Sequence, residues 1–316
     1  MAQPTNTFDS YDGANSNRED LANVIYDISP TDTPFMSSIG RVKVQSTTHE
    51  WQTDSLATHT PNNMVIDGDE ATNDAITATS RVTNKTQISD KVIVVSGTQE
   101  VVNKAGKKSE VAYQIAKAGK ELKRDMEARL TSPQYMVTGS SSTARECTGA
   151  ETVLTTNKSH GGGGGATSGT ADVVDGTQRA LTEAMVKTQM QNCFSAGGNP
   201  GMLMVGPFNK TKVSAFSGIA TLYRDQKNVG QGVIIGAADI YVSDFGTVKA
   251  IPNRFSRDRT VMVLDTDYWA VGYLRSFQVK PLARTGDSEK RQMLCEYTLE
   301  YRNEASSGKV ADLTTS

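Results

Sequence analysis

GKKSEVAYQIAKAGKELKRDMEARL, residues 106–130, is the stretch on which the fold turns, because it reads as one long helix in a chain otherwise built of strands and turns. Val111, Ile115, Ala118, Leu122 and Met126 recur at i, i+4, i+7, i+11 and i+15, which makes a narrow apolar face. At a rise of ~1.5 Å per residue the helix spans roughly 36 Å, about the width of a small domain. Ser132 and Pro133 end it. Off the seam the helix is charged. Between residues 104 and 130, eight bases (Lys104, Lys107, Lys108, Lys117, Lys120, Lys123, Arg124 and Arg129) stand against four acids.

The preceding region is β-type. Ten of the forty positions from Thr47 to Thr86 are Thr, whose branched Cβ favours strands. Trp51, Thr53 and Ser55 alternate with Glu50, Gln52 and Asp54, the pattern of a half-buried strand. PNNMVIDGDEATND reads as a polar tip, and TSRVTNKTQISDKVIVVSGT as the return strand. Residues 46–98 therefore predict a protruding ribbon. Ahead of them, residues 1–20 are polar and read as a loosely held arm. Leu21, Val24, Ile25 and Ile28 predict a short helix that Pro30 terminates, and Pro34 predicts an extended segment after it.

Beyond the long helix, residues 134–176 have loop composition, with five consecutive glycines from Gly161 to Gly165. A second helix is predicted from Gln178 to Phe194, with Leu181, Ala184, Met185 and Phe194 inward. GMLMVG reads as a buried strand and FNKTKVSAF as a helix. VIIGAADIYVSDFGTVKAIPN predicts two strands with a turn near Asp244 to Gly246. TVMVLDTDYWAVGYL and RQMLCEYTLEYRN add further strands. In the last, Tyr297, Leu299 and Tyr301 face one way, and Glu296, Thr298 and Glu300 the other.

Chemistry-bearing motifs are scarce. The glycine run lacks the Lys-Ser/Thr that a phosphate loop needs, and reads as a flexible loop. Asp244-Phe245-Gly246 spells the kinase magnesium tripeptide without its companions, and reads as a hairpin turn. DGDEATND clusters acids, but its Gly68 is misplaced for a calcium loop. His49, His59 and His160 form no ligand pair, and Cys147, Cys193 and Cys295 form no cluster. No catalytic residue, cofactor or metal is expected. Odd, scattered cysteines indicate a reducing compartment and inert thiols. The first twenty residues lack the pattern of a signal peptide, and no apolar run reaches the ~20 residues of a membrane span. A formal charge of −2 over 316 residues disfavours binding nucleic acid through a basic surface.

Charge is unevenly distributed. From Ser46 to Ser80 there are six acids (Glu50, Asp54, Asp67, Asp69, Glu70 and Asp74) and no Lys or Arg. The plain reading is two solvated surfaces. The sharper one lays the acidic ribbon of one chain, through Asp67, Asp69, Glu70 and Asp74, over the basic helix of another, at Lys117, Lys120, Lys123 and Arg124.

Three segments together carry a resemblance. REDLANVIYDISPTDTPFMSSIGR with HEWQTDSL resembles the N-terminal region of major capsid proteins from a branch of tailed bacteriophages. YVSDFGTVKAIPNRF and LARTGDSEKRQMLCEYTLEYRNE resemble that branch's C-terminal half, in the same order. The resemblance implies an α+β, Hong Kong-97-like capsid fold. Its parts map to an N-terminal arm (1–45), an extended loop (46–98), a peripheral domain (99–133 and 276–316) with a spine helix (106–131), and an axial domain (134–275). It also implies a structural protein without enzymatic activity, self-assembling into hexamers and pentamers of an icosahedral head around double-stranded DNA. A near-neutral charge suits a surface that holds packed DNA without gripping it. Copies of the chain are the expected partners, with a portal, a separate scaffolding protein, decoration proteins and no membrane; synthesis is expected in the bacterial host cytoplasm. Competing readings are an encapsulin-type compartment, a β-rich adhesin and, last, a hydrolase.

Overall fold

The computed structural model describes residues 29–70, 73–164, 169–216 and 240–316. The helix expected from Leu21 to Ile28 lies outside them. In chain order the first elements are α1 (Pro34–Ser38), β1 (Gly40–Lys43), β2 (Thr48–Thr53), β3 (Ser80–Lys85), β4 (Gln87–Ser96), α2 (Gly97–Val101) and α3 (Glu110–Leu130). Then come α4 (Ala150–Val153), β5 (Asn157–Ser159), α5 (Glu183–Ser195), β6 (Met202–Val205) and α6 (Pro207–Ser214). The last are β7 (Ile240–Ser243), β8 (Gly246–Pro252), β9 (Val261–Leu264), β10 (Trp269–Pro281), β11 (Ser288–Tyr301) and β12 (Gly308–Val310).

The long helix α3 starts four residues after Gly106, where its unpaired amides find acceptors. Ser109 Oγ accepts from the Ala112 amide, and the Glu100 carboxylate, from α2, accepts from those of Glu110 and Val111. Glu110 in its first turn and Arg129 in its last suit the helix dipole. The predicted stripe is the buried face: Val111, Ala118, Leu122 and Met126 are buried, Ile115 partly so, and Leu130 extends the row. It packs on β4 and β11. Leu122, Met126 and Leu130 are fully buried, each stabilising by roughly 1.5–3 kcal/mol.

That sheet has the order β1-β10-β11-β4, with β1 parallel to β10 and the other pairs antiparallel. It corrects the ribbon's limits. The return strand divides at Thr86: β3 pairs with β2, from Thr48 opposite Lys85 to Thr53 opposite Ser80, and β4 pairs with β11. Thr86 is fully buried and its hydroxyl donates to Glu296 Oε1 at 2.9 Å. An uninterrupted alternation cannot show that a strand changes partner. The ribbon proper is thus 48–85, with its described tip residues outside any helix or strand.

The arm's limit moves as well. Phe35, Ile39 and Val44 are buried, and Pro34 opens a helix where an extended segment was expected. Proline at the first helical position is pre-set in φ and needs no amide partner. The next two amides, of Phe35 and Met36, donate to the Glu127 carboxylate of α3 at 2.7 and 2.9 Å.

The second sheet has the order β5-β12-β9-β6-β8-β7. β6 and β9 are buried along their whole length. Helix α5 covers the sheet, but its inward residues are Val186, Gln189, Met190 and Cys193, and it begins at Glu183. Of the four residues expected inward, Leu181 is buried and Met185 packs against the core, while Ala184 and Phe194 are exposed; buried Gln189 hid the i, i+3, i+4, i+7 stripe. Strand β12 lies between β5 and β9, so residues 308–310 close this sheet instead of returning to the first. Lys309 disguised that strand. It is 1% exposed, its ammonium donates to the Glu151 carbonyl, and burial lowers its pKa to about 8 against the pull of Glu151.

Residues 134–164 are more than loop. Cys147, Ala150 and Leu154 are fully buried in the core beneath α3. Two of the glycines serve close approach: a Cβ on Gly161 would lie 2.0 Å from the Thr177 carbonyl, and one on Gly164 would lie 2.6 Å from the Gly176 nitrogen. Gly165 lies outside the described residues.

Candidate intersubunit surface

The ribbon is anchored at its root and bare at its tip. His49 Nε2 and Glu300 Oε2 stand 2.8 Å apart, Trp51 Nε1 donates to the Tyr301 carbonyl at 2.8 Å, and Asn84 Nδ2 donates to the Leu299 carbonyl at 2.7 Å. The Trp51 ring meets that of Tyr301 edge-on, with centroids 4.9 Å apart. Burial pushes the Glu300 carboxyl up, but hydrogen bonds from Arg302 and His49 outweigh it and hold it below the usual range. Trp51 and Thr53 are half-buried while Glu50 and Gln52 are exposed, as the alternation predicts.

Past Thr53 the side chains lose their cover. Leu56 and Ile76 are 99% and 97% exposed, and Met64, Val65 and Ile66 are exposed together. Asp67, Asp69, Glu70 and Asp74 are exposed around them. Exposed apolar side chains grouped in this way are characteristic of interaction surfaces. The composition held the signal: Met64-Val65-Ile66 stands in a run of polar residues, and reading that run only as a polar tip missed it.

On α3, Lys117, Lys120 and Lys123 are exposed, with Lys117 3.9 Å from Glu121. Arg124 differs. Its guanidinium lies 5.7 Å from the Phe255 ring centre, so its first role is inside the chain. Among the described residues no ion pair joins the acidic tip to these bases. A further apolar row, Ile88, Val92 and Val94, lines the exposed face of β4, the edge strand of its sheet.

The remaining motifs resolve into structure. Asp244 and Phe245 form the tight turn between β7 and β8, with Ser243 opposite Gly246. The three cysteines are free and buried. Burial raises the Cys147 thiol to about 11 and those of Cys193 and Cys295 to about 12, which makes them poor nucleophiles. His59 is exposed. His160 lies 3.8 Å from Asp312, whose carboxylate accepts from the amides of Gly161 and Gly176. Among the described residues no three His, Cys, Asp or Glu side chains converge as metal ligands, and no helix is long and apolar enough to cross a membrane.

Known proteins share this arrangement along the whole chain. The family model described as SU10 major capsid protein matches residues 3–314. A major capsid protein of Escherichia phage Phieco32 is 30% identical over 349 residues, covering 98% of this chain and 97% of that one. Among solved structures, the Cyanophage A-1(L) capsid asymmetric unit superposes with a TM-score of 0.68 at 12% identity, covering 98% of this chain and 100% of that one. An encapsulin of Synechococcus elongatus superposes with a TM-score of 0.55 at 10% identity, covering 97% and 96%. With family model, full-length relative and fold in agreement, this chain belongs to the SU10 major capsid protein family, phage capsid proteins with the Hong Kong-97-like fold.

Proposed function

We propose that copies of this chain assemble into hexamers and pentamers that close an icosahedral head around double-stranded DNA. The observation that carries this is the ribbon tip, where Leu56, Met64, Val65, Ile66 and Ile76 lie bare at the end of an anchored two-stranded stem. Among the described residues nothing covers them, and a neighbouring copy would. Residues 48–85 act as the extended loop, the four-stranded sheet with α3 as the peripheral domain, and the six-stranded sheet as the axial domain.

In each contact, Asp67, Asp69, Glu70 and Asp74 of one copy lie toward Lys117, Lys120 and Lys123 of the next, while the apolar tip residues supply most of the burial. Charge guides register and apolar area supplies affinity. Assembly then stabilises the fold by mass action. No reaction is involved.

Nuclease protection of purified particles tests the cargo. DNA released only after the shells are opened is the expected result. Empty shells loaded with a defined protein would favour the compartment reading, to which the encapsulin likeness lends its support.

A further inference from the structure

Glu127 is a fully buried carboxylate, and its hydrogen-bond donors among the described residues are all neutral. Oε1 accepts from the Phe35 amide at 2.7 Å and from Asn253 Nδ2 at 2.7 Å, while Oε2 accepts from the Met36 amide at 2.9 Å. These donors come from α1, at the root of the arm, and from the loop that leaves β8 in the second sheet. Three segments remote in sequence meet on one side chain.

Each tie is itself held. Phe35 is fully buried with its ring edge-on to Trp269, centroids 6.0 Å apart. Asn253 is fully buried: its amide donates to the Val205 carbonyl at 2.9 Å, and its Oδ1 accepts from the Phe255 amide at 2.8 Å. Phe255 in turn lies under Arg124, one turn back along α3 from Glu127. Burial raises the Glu127 carboxyl above the usual range, while the amides of Met36 and Phe35 and the Asn253 side chain pull it back. A buried carboxylate held by such donors is costly to leave short of one of them, because among the described residues no cation pairs with it to compensate the loss. The two ties also share Oε1, so they cannot be energetically independent.

We infer that Glu127 couples the docking of the arm root (residues 34–39) to the junction between α3 and the second sheet, so that displacing either one loosens the other. The segment that leads in from the arm then sets how firmly the two sheets are held together. This inference stands on the chain's own geometry, whatever the chain assembles into.

Hydrogen exchange on the full-length chain, read at single amides, tests it. Asn253→Ala removes the Nδ2 donor to Glu127, together with the Oδ1 that accepts from the Phe255 amide, and leaves the residues of α1 unchanged. Coupling predicts that the Phe35 and Met36 amides then exchange about tenfold faster, the scale of one lost charge-assisted hydrogen bond. The Val261–Leu264 amides of β9 report global unfolding and should speed up by clearly less. Glu127→Gln places an NH₂ group among the donors and should speed exchange at Phe35 or Met36 and at Phe255 together. Unchanged exchange at Phe35 and Met36 in Asn253→Ala would overturn the inference. So would an equal rise across β9, which would mean general destabilisation without a specific link.

Discussion

Strand β11 and the ribbon tip draw on similar residues, aliphatic side chains interspersed with acids, and differ in where those residues find partners. In β11, Tyr297 and Leu299 are fully buried on one face. On the other, Glu296 accepts from Thr86, from Arg145 at 2.8 Å and from Arg275 at 2.7 Å. In the tip, Leu56 and Ile76 are bare, and among the described residues Asp54 and Asp69 accept only from the amides of the residues that follow them. One region is complete within a single chain. The other, on the reading proposed above, is completed by a neighbour, so the same kind of substitution should break folding in the first and assembly in the second.

The largest expected effect lies in the completed region. Trp269 is 1% exposed and its Nε1 donates to Ser307 Oγ at 3.0 Å, so Trp269→Ala should cost about 3–5 kcal/mol. A fall in the denaturant midpoint measures it. Glu296→Ala follows at about 3 kcal/mol, because it leaves two guanidinium groups facing a site without its acid. By contrast, Leu56→Asp with Ile76→Asp should leave stability within about 0.5 kcal/mol and block particle formation, read by sedimentation. If the pair unfolds the chain instead, the division between the two regions is wrong.

Charge sharpens the comparison further. Reversing Lys117, Lys120 and Lys123 to Glu should slow or block assembly while the chain stays folded. Reversing Asp67, Asp69, Glu70 and Asp74 to Lys alongside should partly restore it. Arg124 is best left alone in this test, since its contact with Phe255 would mix a folding effect into the result. Normal assembly of the triple variant across salt concentrations would remove charge from the contact.

The smallest effect concerns pH at the ribbon's root. The Glu300 carboxyl is held below the ordinary glutamate value of about 4.3. A depressed acid contributes stability above its unfolded pKa and loses it as pH falls through the lower folded one. Acidification below the ordinary value should therefore speed exchange of β2 and β3 amides before those of β11. His49→Ala should weaken that dependence.

Much of this was legible in the sequence where local period and burial agree. The α3 stripe and the strand residues Tyr297 and Leu299 carry their own signal. What escaped depends on distant partners. Thr86 reads as one more strand threonine until Glu296 claims its hydroxyl. Pro34 reads as a breaker until Glu127 receives the amides behind it. Lys309 puts a charged side chain in the middle of β12, which is buried along its length, so residue type alone gives no sign of that strand. The tip was the reverse case: its acids were read correctly as exposed, yet the apolar residues beside them, which point most directly to a neighbour, were overlooked.

Electron microscopy of the purified full-length protein tests assembly most directly. Closed shells, or rings with six-fold or five-fold symmetry, are the predicted result, and they should disappear in the Leu56→Asp, Ile76→Asp variant. A folded wild-type chain that stays monomeric at every concentration and salt would contradict self-assembly through the ribbon.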